Sequence, residues 1–311
     1  IHSFQDIQKV STSYKTHIQQ LLARKVKGDI GRFAASLKPT QFGANIHHLE
    51  TYAFMQEVRG VIIDCFLKGI ECTLDAEGRD TLERTYGVAW HLHKRGFHTI
   101  GVCFQANVSN EPSIQEAFEK CLASGIRVRI VKGGYQGSLT NDRDIRKAFL
   151  AMVWKALLSK SIVEIATHDP HLLIDAMELL ARLDIPKERV RFQMLYGIHM
   201  DFQTALAGGI GVDRFLEQAF SEHSLYCVGD VIEKSEKPFH TKDHGNIYIV
   251  GALQCFVKNN LMTYVPWEKT KKAGLHYIER RLQEGMRQGL FMMLLKNIPE
   301  AWRWQRLHAR S

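Results

Sequence analysis

The chain has 311 residues, of which 45% are hydrophobic and 24% charged, and it carries a formal net charge of +8. That length supports one large core or two smaller ones, and the charged fraction is ordinary for a folded globule. No run nears the roughly 18 apolar residues of a membrane-crossing helix, and the Lys and Arg are scattered without a nucleic-acid-binding signature, so neither a membrane-spanning protein nor a nucleic-acid binder is expected.

The first residues, IHSFQDIQKVSTSYKTH, lack an apolar signal core. They begin with Ile1 rather than Met, so a segment upstream is expected. Six cysteines stand at positions 65, 72, 103, 121, 227 and 255. None forms a CxxC pair and several sit in apolar runs. They read as buried, reduced thiols rather than a disulfide frame or a zinc site.

Short β-prone runs then alternate with longer helical patterns. Strands are predicted at 33–37, 70–76, 99–105, 126–132, 161–167, 190–195 and 261–266. Helices are predicted between them, as at 48–69 and 142–160. Gly69, Gly96 and Gly125 each stand just before a strand, where a left-handed residue ends a helix. Such alternation implies a parallel sheet with right-handed crossovers, either a (β/α)8 barrel or a doubly wound sheet.

Polar residues at strand ends favour the barrel. Reactive groups in a barrel gather at the C-terminal ends of the strands, whereas a doubly wound sheet concentrates them at one switch point. Here the successive ends carry Lys38, Asp75, Gln105, Lys132, Thr167 with His168, Gln193 and Tyr264. The expectation is an α/β fold, a distorted TIM-like (β/α)8 barrel forming one domain over 1–311. Seven strands are legible rather than eight, so the first is missing or supplied by an insert at about 208–258. Within that insert SLYCVGDVI, 224–232, is the candidate strand.

Near the C-terminus HYIERRL, 276–282, places Arg280 beside Arg281. Adjacent helical residues point about 100° apart, and two solvated arginines are the simplest reading of such a pair. On a helix from about 269 onward, Leu275, Ile278 and Leu282 fall within about 60° of one another and form a packing face. Tyr277, Arg280 and Arg281 cluster opposite, at spacings of three and four.

Several stretches together resemble the FAD-dependent proline dehydrogenases. RVRIVKGGY (127–135) looks like that family's fifth-strand motif, IATHD (165–169) the sixth and RFQMLYG (191–197) the seventh. YVPW with HYIERRL resembles the eighth strand and its helix, and SLKPTQFG (36–43), LDAEG (74–78) and GVCFQA (101–106) fit the second to fourth. The resemblance implies a distorted (β/α)8 barrel that oxidises proline to Δ1-pyrroline-5-carboxylate, passing electrons through FAD to a quinone. It also implies that SYKTHIQQLLARKVKGD (13–29) is the helix before the second strand, with the first strand upstream of it.

Residue roles follow from the same resemblance. Arg280 and Arg281 would grip the substrate carboxylate, which suits the planar, bidentate and permanently charged guanidinium. Lys38 would add a third cation. Asp75 would orient the pocket, the plainer alternative being an N-cap for the next helix. Tyr135, Leu195, Tyr264 and Tyr277 would wall the pyrrolidine ring, the plainer alternative being core packing. Gln105, Arg129 and Lys132 match flavin-contacting positions, Gln193 is a further candidate near the flavin, and Gly133 and Gly134 would let the backbone approach the ring. Arg129 alternates with Val128 and Ile130, so it points inward if they point out, and an inward charge needs a partner. Thr167 and His168 would hold the pyrophosphate or adenine side. Tyr264 favours proline over hydroxyproline. Gln136 and Gly134 depart from the family pattern.

Other signals carry less. GGIG (208–211) follows no predicted strand, and His240 and His244 sit in a loop-like stretch, so no metal is expected. The tail GLFMMLLKNIPEAWRWQRLHARS reads as a docking helix or as a peripheral membrane contact toward a bilayer-dissolved quinone. Location is expected in the cytoplasm or on an inner membrane, with mitochondria left open. Two rivals stand beside proline oxidation: oxidation of another cyclic amino acid, and a non-catalytic barrel that acts as a binding partner.

Overall fold

The computed structural model describes residues 4–27, 33–45, 51–183, 185–195, 203 and 261–264. The insert at about 208–258, its candidate strand, and the helix bearing Tyr277, Arg280 and Arg281 lie outside the described residues. Contacts divide the chain into two units, Ile1–Glu164 and Ile165–Ser311.

The first unit runs α1 (Phe4–Val26), β1 (Ala34–Leu37), α2 (Thr51–Leu67), β2 (Glu71–Leu74), α3 (Arg79–Lys94), β3 (Ile100–Gln105), α4 (Pro112–Ala123), β4 (Arg127–Val131) and α5 (Asp142–Leu158). Strands β1 to β4 lie side by side in sequence order, each parallel to the next. Strand β5 (Val163–Ala166) begins at the end of this unit, and the Val128 N–H donates to the Ile162 carbonyl just before it, at 2.9 Å. Parallel strands with a helix after each are the βαβ pattern that the alternation predicted.

The predicted glycine stops are real. Gly69, Gly96 and Gly125 all take positive φ, at 62°, 95° and 71°. After each, the first strand-side N–H returns to a carbonyl of the last helical turn, as Ile126 does to Cys121 at 3.0 Å. Such paired bonds satisfy helix carbonyls that would otherwise be orphaned. At the other kind of end, the Asn141 side chain accepts the Arg143 N–H and caps α5, whose first turn holds Asp142 and Asp144 against the positive end of the helix dipole.

Period-two alternation sorts the strand residues onto two faces. On β3, Phe104 stacks on Tyr86 of α3 at 4.3 Å between centroids and meets Phe118 of α4 edge-on at 4.9 Å. Val102, Phe104, Val128 and Ile130 are fully buried and form the helix-facing layer. Cys72 of β2 lies on that layer, against Cys65 of α2, and its thiol and burial together push the Cys65 thiol up. Cys65, Cys72, Cys103 and Cys121 are free and buried, as expected; the other two cysteines lie outside the described residues.

The second unit holds the rest of β5, helix α6 (Pro170–Leu183), β6 (Val190–Leu195) and β7 (Leu261–Tyr264), with β6 parallel to β7. All seven predicted strands are therefore present, each one to three residues shorter or equal in length. Among the described residues no eighth strand appears, and helix α1 occupies Phe4–Val26 ahead of β1. The architecture is parallel β/α; closure into eight strands is not part of what these residues display. Among them, no helix is long and apolar enough to cross a membrane.

Candidate active site

The face of the first unit's strands that turns away from the helices is polar, and its charges are paired. Gly101 and Arg127 are register partners, as are Cys103 and Arg129, so both arginines project from the side opposite Val128 and Ile130. Arg129 is 7% exposed. Its Nη1 donates to Asp75 Oδ1 at 2.7 Å and to Ser36 Oγ at 2.9 Å, and its Nε donates to Glu164 Oε2 at 3.3 Å. Arg127 donates to the other Glu164 oxygen at 2.7 Å and, through Nη2, to the carbonyls of Cys72 and Thr99. Glu164 has no exposed surface. A buried charge of this kind persists only when paired and hydrogen-bonded, and here every member is. Cys103 sits among them; burial pushes its thiol up to about 12, with Arg129 opposing and Asp75 adding to the rise.

The expected inward charge at Arg129 is thus found, and it is held by two protein carboxylates and the Ser36 hydroxyl. Asp75 holds Arg129 and does not cap α3, whose N-cap is Gly78. Sequence reasoning missed Glu164, Arg127 and Ser36. Two signals were available. Glu164 is the single charge inside SIVEIAT, and Arg127 repeats Arg129 at the strand period.

Around this face the loops after the strands are held by buried polar side chains. Lys38 follows β1, half-buried, and its N–H reaches the Tyr14 hydroxyl at 3.4 Å. That hydroxyl donates to Gln41 Oε1 at 2.7 Å, and the Tyr14 ring stacks on Phe42. Glu77 accepts from the Thr40 N–H at 2.7 Å and the Thr40 hydroxyl at 3.0 Å. Burial raises the Glu77 pKa, and the Thr40 bonds oppose the rise. Gln105, 2% exposed, donates its amide to the Glu77 carbonyl at 3.0 Å. These bonds tie the loops after β1, β2 and β3 together.

The loop after β4 winds around Asn107. The Asn107 amide donates to the Tyr135 carbonyl at 2.7 Å, its own N–H donates to the Lys132 carbonyl at 3.0 Å, and its carbonyl accepts from Leu139 at 2.8 Å. Gly133 has φ 115°, and a Cβ there would stand 2.1 Å from Asn107 Oδ1. The group that approaches the bare Cα of Gly133 among the described residues is Asn107. A Cβ on Gly134 would meet nothing within 4 Å. The Lys132 ammonium pairs with Asp142 of α5 at 3.1 Å. Against the cost of partial burial, Lys132 and Arg146 hold the Asp142 carboxyl below its usual range. The Tyr135 side chain is 41% exposed.

The second unit gathers the remaining predicted residues. The Leu195 N–H donates to His168 Nε2 at 2.7 Å, so the neutral ring carries its proton on Nδ1. Gln203 donates to the Leu195 carbonyl at 2.6 Å. Leu195 and Tyr264 are register partners at the ends of β6 and β7. Thr167 is buried and its hydroxyl accepts the Asp169 N–H, while Asp169 accepts the His171 N–H at the start of α6. Gln193 is also buried. Tyr277, Arg280 and Arg281 lie outside the described residues.

The model of the proline dehydrogenase family matches residues 2–292. The chain belongs to the proline dehydrogenase family. Proline dehydrogenase 1 of Bacillus subtilis is 25% identical over 209 residues, 66% of this chain and 65% of that protein. The proline dehydrogenase of Deinococcus radiodurans is 32% identical over 84 residues, 26% of this chain and 27% of that one. Among solved structures, a Bradyrhizobium japonicum proline utilization A variant superposes with a TM-score of 0.57 at 16% identity, over 90% of this chain and 27% of that chain. Proline utilization A from Bdellovibrio bacteriovorus, inactivated by N-propargylglycine, gives 0.57 at 16% identity over 91% and 36%. The chain thus spans about two thirds of the curated Bacillus relative and about a third or less of these solved chains. The structural likeness establishes the fold, a parallel β/α architecture of the partial, distorted TIM-barrel kind.

Proposed function

We propose that this protein oxidises L-proline to Δ1-pyrroline-5-carboxylate, with FAD as the resident cofactor and a quinone as the final electron acceptor. The observation that carries the reading is a buried arginine, Arg129, facing inward from the middle of β4 within a chain matched by the proline dehydrogenase family over residues 2–292. The donor set suits a flavin: a guanidinium and an amide, Arg129 and Gln105, both nearly fully buried and both held by neighbouring groups. Gln105, Arg129, Lys132, Gly133, Gly134, Thr167, His168 and Gln193 are the residues proposed to hold it. FAD, when bound, supplies the hydride acceptor.

The chain's own groups supply position and charge. Arg129 keeps a permanent positive charge on the inward face of β4, to answer the negative charge that grows as the acceptor is reduced. Ser36, Asp75 and Glu164 fix that guanidinium in advance, so no reorganisation is needed during reaction. Lys38 is proposed to attract the substrate carboxylate, and Arg280 with Arg281 to grip it through paired donors. Leu195 and Tyr264, adjacent in register, with Tyr135 and Tyr277, are proposed as the wall against the ring. Positioning carries most of the rate, and solvent takes the amine proton. Contact with a membrane surface by the C-terminal tail would serve the quinone.

The test is a visible spectrum of the purified full chain, recorded anaerobically before and after proline. Flavin absorbance that bleaches on adding proline is the expected result. A colourless protein that gains no flavin band on adding FAD would overturn the cofactor assignment. Bleaching by other cyclic amines and not by proline would overturn the substrate.

A further inference from the structure

We infer that Glu164 is a positioning residue that sets the orientation and the electrostatic strength of Arg129, through a relay anchored on the backbone by Arg127. The inference rests on the flavin reading of Arg129. It goes beyond it by assigning the job to Glu164, which lies outside the quoted motifs, and to Arg127, to which the flavin reading gave no role.

The relay can be followed bond by bond. Arg127 is fixed first: its Nη2 donates to the Cys72 carbonyl at 2.8 Å and to the Thr99 carbonyl at 3.0 Å. Those acceptors are main chain, so they do not rotate away. Room for the guanidinium exists because position 101 has no side chain; a Cβ there would stand 3.0 Å from Nη2 and 3.1 Å from Cζ of Arg127. Arg127 Nη1 then holds Glu164 Oε1 at 2.7 Å. The second oxygen of the same carboxylate takes the Arg129 Nε at 3.3 Å. Asp75 and Ser36 take Nη1 of Arg129. A planar guanidinium held at Nε and at Nη1 by different strands keeps one plane.

The charges make the same point. Glu164 has no exposed surface and Arg127 and Arg129 are 5% and 7% exposed, so their interactions are little screened by solvent. One carboxylate shared by two guanidiniums leaves the group electropositive before Asp75 is counted. Arg127 is thus a counter-charge that stops Glu164 from fully neutralising Arg129. Glu71 lies 3.5 Å from Arg127 and is partly exposed, and no bond links it to Arg129 among those described.

The experiment compares the wild-type full chain, loaded with FAD, with Glu164→Gln, Glu164→Asp and the control Glu71→Gln. Three quantities are read: kcat and KM for proline, the midpoint potential of the bound flavin, and hydrogen exchange at the Arg129 Nε–H in arginine-15N-labelled protein without flavin. Glu164→Gln is expected to lower kcat at least tenfold with KM changed less than threefold. It should shift the flavin potential upward, since a negative charge near the reduced flavin is gone, and should speed Nε–H exchange. Glu164→Asp keeps the charge and should retain the potential more closely than Glu164→Gln does. Glu71→Gln should leave all three near wild type. If Glu164→Gln fails to fold, the paired change Arg127→Gln/Glu164→Gln, which removes both charges together, replaces it and should speed Nε–H exchange. An unchanged potential with an unchanged kcat in a folded, flavin-loaded variant would overturn the inference. So would slow Arg129 exchange in the variant. Should the wild-type chain bind flavin but ignore proline, the substrate reading fails, while the potential and the exchange still decide the role of Glu164. Should it bind no flavin, the cofactor reading fails and the exchange rate alone decides whether Glu164 fixes Arg129.

Discussion

The two faces of β3 and β4 obey different rules. The helix-facing side, Val102, Phe104, Val128 and Ile130, is held by burial and ring packing against α3 and α4. The opposite side, Gly101, Cys103, Arg127 and Arg129, is held by directional bonds to Glu164, Asp75, Ser36 and two carbonyls. Apolar packing tolerates a change of shape at a graded cost, because contact area is lost piece by piece. A buried ion-pair network tolerates removal of all its charges better than removal of one. The contrast shows where this chain keeps stability and where it keeps an arrangement of charge.

The largest effect should come from the helix-facing side. Phe104→Ala removes the ring between Tyr86 and Phe118 and should destabilise by about 3–5 kcal/mol, read by urea unfolding. A loss under 1 kcal/mol would mean that this layer does not carry the stability. Next, on the other face, Arg127→Met leaves Glu164 short of one partner and should cost about 3 kcal/mol. Adding Glu164→Met should recover most of that loss, because the paired charges leave together. Equal and additive losses would break the comparison. Gly101→Ala probes the space between β3 and Arg127; a Cβ 3.0 Å from both the guanidinium and the Arg127 carbonyl should cost about 1–3 kcal/mol. It should also lower flavin affinity or turnover if the relay matters, which a plain strand defect would not do selectively.

The smallest effect concerns protons, away from both faces. His93 at the end of α3 has its pKa lowered, first by burial and then by the neighbouring His98, against the bond between its Nε2 and the Ser124 carbonyl. The unfolded chain then binds the proton more readily than the folded one, so stability is lost as pH falls below the ordinary histidine value of about 6.5. His93→Gln should flatten the melting temperature between pH 7.5 and 5 relative to wild type. A steeper slope in the variant would contradict the sign.

Much of the fold was legible before any coordinates. Strands at 33–37 through 261–266 were marked by short apolar, β-prone runs, and Gly69, Gly96 and Gly125 by their place before strands. Both signals are local, since a strand alternates and a helix end needs positive φ whatever surrounds it. The site was legible only in part. Asp75, Gln105 and His168 were named from their strand ends, and Arg129 from the family resemblance and its alternation with Val128 and Ile130; all four make directed bonds. The cradle around Asn107 and the loop ties of Glu77 were not foreseen. Their partners stand 28 and 37 residues away in the chain, and no sequence period connects them.

The sequence by itself determined the order of the elements, the face on which each strand residue lies and the family to which the chain belongs, because alternation, helix stops and short motifs are properties of neighbouring residues. Only the tertiary structure decided which charge answers which. Arg129 was expected to point inward if Val128 and Ile130 point out, but that Asp75 just after β2, Ser36 from β1 and Glu164 from β5 meet it there depends on strand register, since a shift of one residue would have turned each of them to the other face.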